Sequence, residues 1–213
     1  MLVWSGRSSR CGRCGCGVCD TVPQYADAFH KAAASIDSAA RTLYGVAAAE
    51  VVWLAEDTTR APGRITARST RENVARAFTQ LAARVAPGDQ VWVVLVGHGS
   101  SEGDTPRFNL PGPDMSATDF AGLLTPFAKQ AVAFVDATSA SADFAKLLAG
   151  PNRAIVTATK AAGERNATRF ARYFALPIVS AGIIGGAALG LAGAASAANN
   201  ADVRSPDIVA TPD

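Results

Sequence analysis

The sequence predicts an α/β protein with a parallel, helix-covered sheet. Gln90–Val96, Ala131–Ala137 and Arg153–Thr159 are short, mostly apolar runs bounded by Gly, Pro, Ser or Thr. Such runs are expected of strands covered on both faces. Segments with helical spacing lie between them, and this strand–helix alternation is the pattern of a parallel sheet with crossover helices. The chain of 213 residues, 49% hydrophobic, is long enough to bury a sizeable core. A net charge of only +2, with no basic run, argues against a nucleic-acid partner.

Residues 1–22 are rich in Gly, Arg, Ser and Cys and read as an irregular leader. They lack the apolar segment of a signal peptide, so a cytoplasmic location is expected. All four cysteines lie here, as Cys11, Cys14, Cys16 and Cys19. Their C-x2-C-x-C-x2-C spacing is too tight for the usual structural zinc site, which pairs two knuckles across a longer loop. No metal and no cofactor are expected.

Tyr25, Phe29, Ala33, Ile36, Ala40 and Leu43 recur at helical spacing, and Gly45 supplies the stop. Glu50–Glu56 reads as a strand, followed by a loop through Asp57 and Pro62-Gly63. Ser69-Thr70-Arg71-Glu72 has the form of a capping box with Ser69 as the cap, opening a helix to about Val85. Pro87-Gly88-Asp89 turns the chain into the Gln90 strand, which ends in Gly97-His98-Gly99-Ser100. Glu102–Asp114 reads as a Gly/Pro-rich loop. Ser116 and Asp119 cap a helix to about Phe127. The Ala131 strand runs into Thr138-Ser139-Ala140-Ser141, and a helix follows over about Ala142–Leu148. After the Arg153 strand, Asn166–Phe174 begins a further helix. The expected organisation is a leader over 1–22, an α/β domain over 23–174, and an Ala/Gly-rich segment with a polar tail over 175–213.

From Tyr173 to Ala198 there is no charged residue, and Gly182, Gly186 and Gly190 form overlapping G-x-x-x-G patterns. Alanine and glycine drive insertion weakly, and no basic or aromatic flank follows. A hydrophobic tail or buried helix is the preferred reading of 176–198, with membrane association as the alternative.

Two strand ends can carry chemistry. His98 stands at the end of the first core strand, where open α/β sheets place ligands and where a histidine can act as a general base. Its flanking glycines permit unusual backbone angles. The next core strand delivers Asp136, Thr138, Ser139 and Ser141. A hydroxyl activated by His98 follows the general dyad logic, although it is a much weaker nucleophile than a thiolate. Asp136 can orient His98 or line a pocket for basic residues, whereas the simpler reading has it capping the next helix. Arg64 can meet a substrate carboxylate, but a loop arginine is usually solvated. No site role is assigned to His30, Asp57, Glu164 or Asn166.

The segments VWVVLVGHGSSEGDTPRFNLPGPDMSATDFAGLL, AVAFVDATSASADFAKLL and RAIVTAT resemble the caspase-like fold of clan CD cysteine peptidases. The closest branch is the legumain-like (C13) family with its bacterial relatives. The resemblance covers about Pro23–Phe174. It implies a three-layer α/β/α sandwich with a mostly parallel central sheet, and a first strand in mid-sheet, for which Met1–Trp4 is the only apolar stretch available. It also implies His98 as the catalytic histidine and the Gly99 N–H as the oxyanion donor. Thr138 stands where that family has its catalytic cysteine, and no cysteine lies near His98. The expected function is therefore a catalytically degenerate peptidase-fold module that binds a peptide or protein. The alternatives are an active peptidase or other hydrolase using a Ser/Thr nucleophile with His98, and a membrane-tethered interaction module.

Overall fold

The computed structural model describes residues 2–5, 23–102 and 105–161. In chain order its elements are β1 (Leu2–Ser5), α1 (Pro23–Thr42), β2 (Val52–Ala55), β3 (Ala67–Arg68), α2 (Arg71–Ala82) and β4 (Gln90–Val96). There follow β5 (Gly99–Glu102), β6 (Thr105–Phe108), β7 (Met115–Ser116), α3 (Ala117–Leu123), β8 (Ala131–Asp136), α4 (Ala142–Leu148) and β9 (Arg153–Thr157). The main sheet has six strands in the order β3-β2-β1-β4-β8-β9, and its pairings are parallel. The protein is thus α/β. Leu2–Ser5 occupies mid-sheet, with Leu2 in register with Val52 on one side and Val93 on the other.

The apolar runs are explained by helices on both faces. Val52, Leu54, Val91, Val93 and Leu95 join one buried cluster with residues of α2, α3 and α4. The alternate residues Trp53, Ala55, Val94, Val96 and Val135 join a second cluster with Phe29, Ala33 and Ile36 of α1. Successive strand residues therefore point into two different cores, so neither set can be polar. On the first face Phe120 is fully buried and its ring meets those of Phe78, Phe108, Phe134 and Phe144. This aromatic cluster ties α2, α3, α4, β6 and β8 together.

Local signals set the helix ends, with one correction. Gly45 adopts φ +64°, and the Val46 N–H reaches the Ala40 carbonyl beyond α1. Ser116 and Asp119 form the expected capping box at α3. At α2, however, the cap is Thr70, whose hydroxyl accepts from the Asn73 N–H at 3.3 Å. Ser69 is fully buried one residue earlier, and its hydroxyl has no hydrogen-bond partner. Thr70→Ala is therefore expected to cost about 1 kcal/mol. Ser69→Ala should be neutral or stabilising, because it removes a desolvated hydroxyl that makes no bond. Urea unfolding of the two variants measures both; a larger loss at Ser69 would reverse the assignment.

A further correction concerns Glu102–Asp114. This stretch is not simply a loop, because β5, β6 and β7 form a small antiparallel sheet. Pro106 is tolerated because β7 reaches only Arg107 and Phe108, leaving Pro106 beyond its end. Pro106 and Phe108 are buried, with Arg107 less so. The Glu50–Glu56 strand is shortened at its start, where Ala48–Glu50 is a 3-10 turn. Cys11 to Cys19, Glu164, the helix expected over 166–174 and the stretch 176–198 lie outside the described residues. Among the described residues, no helix is long and apolar enough to cross a membrane.

Candidate functional site

Strand order places His98 beside the point where the chain changes direction across the sheet. From β1 the chain goes outward to β2, whereas β4 leads the other way to β8 and β9. The carboxyl ends of strands at such a reversal form the natural crevice of an open α/β sheet. Leu95 is in register with Asp136, so the residues that follow each strand emerge side by side.

His98 is half-buried and packed against α1. Its ring stands edge-on to Phe29 at 4.9 Å and 81°, and to Tyr25 at 5.6 Å and 78°. Tyr25 and Phe29 lie four residues apart on one face of α1, so the helix fixes the imidazole plane. Neither flanking glycine has a positive φ. Gly99 is required instead by close approach: a Cβ there would lie 2.1 Å from the Ser139 carbonyl oxygen and 2.6 Å from Thr138 Oγ1.

The two loops are joined through Ser139. The Gly99 N–H donates to Ser139 Oγ at 3.1 Å, and that hydroxyl donates to the Gly99 carbonyl at 2.8 Å. Thr138 is fully buried. Its hydroxyl and its N–H both donate to Asp136 Oδ1, at 2.6 and 3.0 Å. Asp136 therefore closes a tight side-chain turn on Thr138 rather than capping α4. Asp136 is itself fully buried, and its Oδ2 has no hydrogen-bond partner. Burial raises its carboxyl to about 7, against the lowering effect of the two Thr138 bonds. Ala140 then takes φ +53°, a left-handed conformation uncommon for a residue with a side chain.

Ser141 is also fully buried, but it serves the far side of the turn. Its oxygen accepts from the N–H groups of Ala158 and Thr159, joining the start of α4 to the end of β9. The structure thus brings His98, Gly99, Thr138, Ser139 and Asp136 to one sheet edge and directs Ser141 to β9. Arg64 belongs elsewhere: with Arg41 it holds the buried carboxylate of Asp37, and it lies over the Trp53 ring at 5.7 Å. His30 stacks on that ring from the α1 side. Asp57 holds the Thr59 N–H and hydroxyl at the surface.

Sequence reasoning missed the aromatic support of His98 and the ion-paired Asp37. Tyr25 and Phe29 read simply as core positions. Asp37 did carry a signal, because it stands four residues after Ala33 on the apolar face of a helix, where a charge must find a partner.

Chemically, the site offers an imidazole, the hydroxyls of Thr138 and Ser139, and a carboxyl able to hold a proton near neutrality. Among the described residues there is no cysteine to supply a thiol. No group of three or more His, Cys, Asp or Glu is arranged for a metal ion among the described residues. No known protein family and no curated protein matches this chain.

Proposed function

We propose that this chain is a catalytically silent domain of the caspase-like, legumain-related type that binds a peptide or protein segment at the His98 edge. The reading rests on one observation. The two groups that hydrolysis would need most are already bonded within the protein. The Gly99 N–H, in the position of an oxyanion donor, donates to Ser139 Oγ. The Thr138 hydroxyl, in the position of a nucleophile, is buried and donates to Asp136. A developing oxyanion needs preorganised, unengaged donors, and a nucleophile needs access to the substrate carbon. The parallel strand order and the helices on both faces support the three-layer sandwich of that fold.

The test uses fluorogenic peptides ending in Asn, Asp, Arg or Lys, together with a fluorophosphonate probe. Wild type is expected to bind at least one peptide saturably, as read by anisotropy, to release no fluorophore and to take no label. His98→Ala should weaken that binding. Cleavage or labelling that disappears in His98→Ala would establish the competing reading, a hydrolase with a hydroxyl nucleophile. Absence of saturable binding across the panel would remove the peptide-binding role.

A further inference from the structure

The turn that joins the two strand ends is built on one carboxyl. Asp136 ends β8, in register with Leu95 of β4 and Thr157 of β9, and is fully buried. Its Oδ1 orders Thr138 through two hydrogen bonds, while Oδ2 has no partner. Thr138 Oγ1 also lies 3.1 Å from the Ser139 carbonyl oxygen, and Ser139 Oγ is bound to both Gly99 backbone groups. One carboxyl therefore sets the turn and, through it, the Gly99 loop. Residues 138–140 run between two anchors. The Ala137 N–H is held by the Leu95 carbonyl, and Ser141 holds the Ala158 and Thr159 N–H groups. Between them Ala140 is held at φ +53°, a strained conformation that persists only where its surroundings impose it.

Among the described residues, no charge balances an ionised Asp136. β4 carries no titratable side chain from Gln90 to Val96, and His98 beyond its end packs on α1. On the small sheet Glu102 and Arg107 pair with each other, and Asp114 holds the Leu110 N–H. On α4 Asp143 and Lys146 pair likewise, and Arg153 of β9 holds the Leu124 and Leu148 carbonyls. None of these groups, nor Lys160 past β9, contributes to the titration of Asp136. A carboxylate at this position must therefore reach water. β8 cannot carry it there, because β8 is paired on both sides, by β4 and β9. The 138–140 turn is held by side-chain hydroxyls and is strained, so it is the part that gives way first.

We propose that Asp136 is a pH-sensitive latch: protonated, it keeps the 138–140 turn locked on Gly99, and ionised, it releases the turn and frees the Gly99 N–H from Ser139. Burial raises the carboxyl to about 7, so the latch is set below neutrality and opens above it. The latch concerns the packing of the turn and does not rest on the peptide-binding reading of this edge.

The test follows amide hydrogen exchange by NMR in the full chain between about pH 6 and pH 8.5. At each pH the Gly99 and Thr138 amides are compared with those of Val74 and Phe78 in α2, so the base catalysis common to all amides cancels. In wild type the ratio of turn to helix exchange should be level below about pH 7 and rise about tenfold per pH unit above it. In Asp136→Asn, whose amide oxygen can still accept from Thr138, the ratio should stay level throughout. A level ratio in wild type would overturn the latch. Equal acceleration of the turn and α2 gives that result too, and would make Asp136 a determinant of whole-protein stability alone. A rise that survives in Asp136→Asn would also overturn it, by assigning the opening to another group. Should the variant fail to fold, the wild-type ratio still decides between a local latch and none.

Discussion

Gly99→Ala is expected to destabilise the protein by about 3 to 5 kcal/mol. The new methyl group would sit 2.1 Å from the Ser139 carbonyl oxygen, 2.6 Å from Thr138 Oγ1 and 3.2 Å from the Arg107 carbonyl oxygen. Two of these three atoms are backbone, so a rotamer change cannot clear them. The 98–100 and 137–140 segments must separate, which costs about 1 to 3 kcal/mol as overpacking. Separation also breaks the paired Gly99–Ser139 hydrogen bonds, each worth about 1 kcal/mol. Gly122→Ala is the control. Gly122 lies in α3 with no positive φ, and a Cβ added there would meet nothing within 4 Å, so alanine should stabilise by about 0.5 to 1 kcal/mol. Urea unfolding of the two variants should give opposite signs. A Gly99→Ala loss below about 1 kcal/mol would show that the two loops are not locked together.

The parts of the fold legible in the sequence were those governed by local pattern. The run from Val91 to Val96 announced a strand buried on both faces, because each face needs apolar residues. Gly45 and the Ser116–Asp119 box announced helix ends, because a φ value or a cap is a property of adjacent residues. The small antiparallel sheet was hidden by its own composition: Pro106 reads as a breaker until β7 is seen to stop short of it. Ser69 read as the cap but Thr70 takes that place, because the choice depends on which one the fold buries. In the site, the positions of His98 and Thr138 at two strand ends followed from the order of elements. Their bonding did not. The Gly99–Ser139 pair joins residues 40 apart in sequence, and no local pattern encodes such a contact. The role of glycine at position 99 changed for the same reason, from permitting a backbone angle to admitting a neighbouring loop.

Asp136→Asn should make the protein less sensitive to pH and more stable in alkali. Asp136 is fully buried, Thr138 holds one of its carboxyl oxygens, and Oδ2 has no hydrogen-bond partner. No charged group contributes to its titration, so no cation offsets the loss of water. The folded carboxyl titrates at about 7, compared with 3.8 for the unperturbed group. The folded protein therefore binds this proton more tightly than the unfolded chain does. Stability is fully present below 3.8, declines as pH rises through the window and is lost above about 7. That span corresponds to about 4 kcal/mol as an upper figure. An amide removes the ionisation, and its oxygen can still accept from Thr138. The wild-type free energy of unfolding should fall between pH 4 and pH 8 relative to the variant, and the variant should be the more stable at pH 8 by about 2 to 4 kcal/mol. The difference between the two proteins isolates this one group from the other carboxylates. If the variant were instead the less stable at pH 8, the native Asp136 would be an ionised, paired carboxylate. The buried turn would then hold a charge, and the acceptor of the Thr138 hydroxyl would be a carboxylate anion rather than a neutral acid.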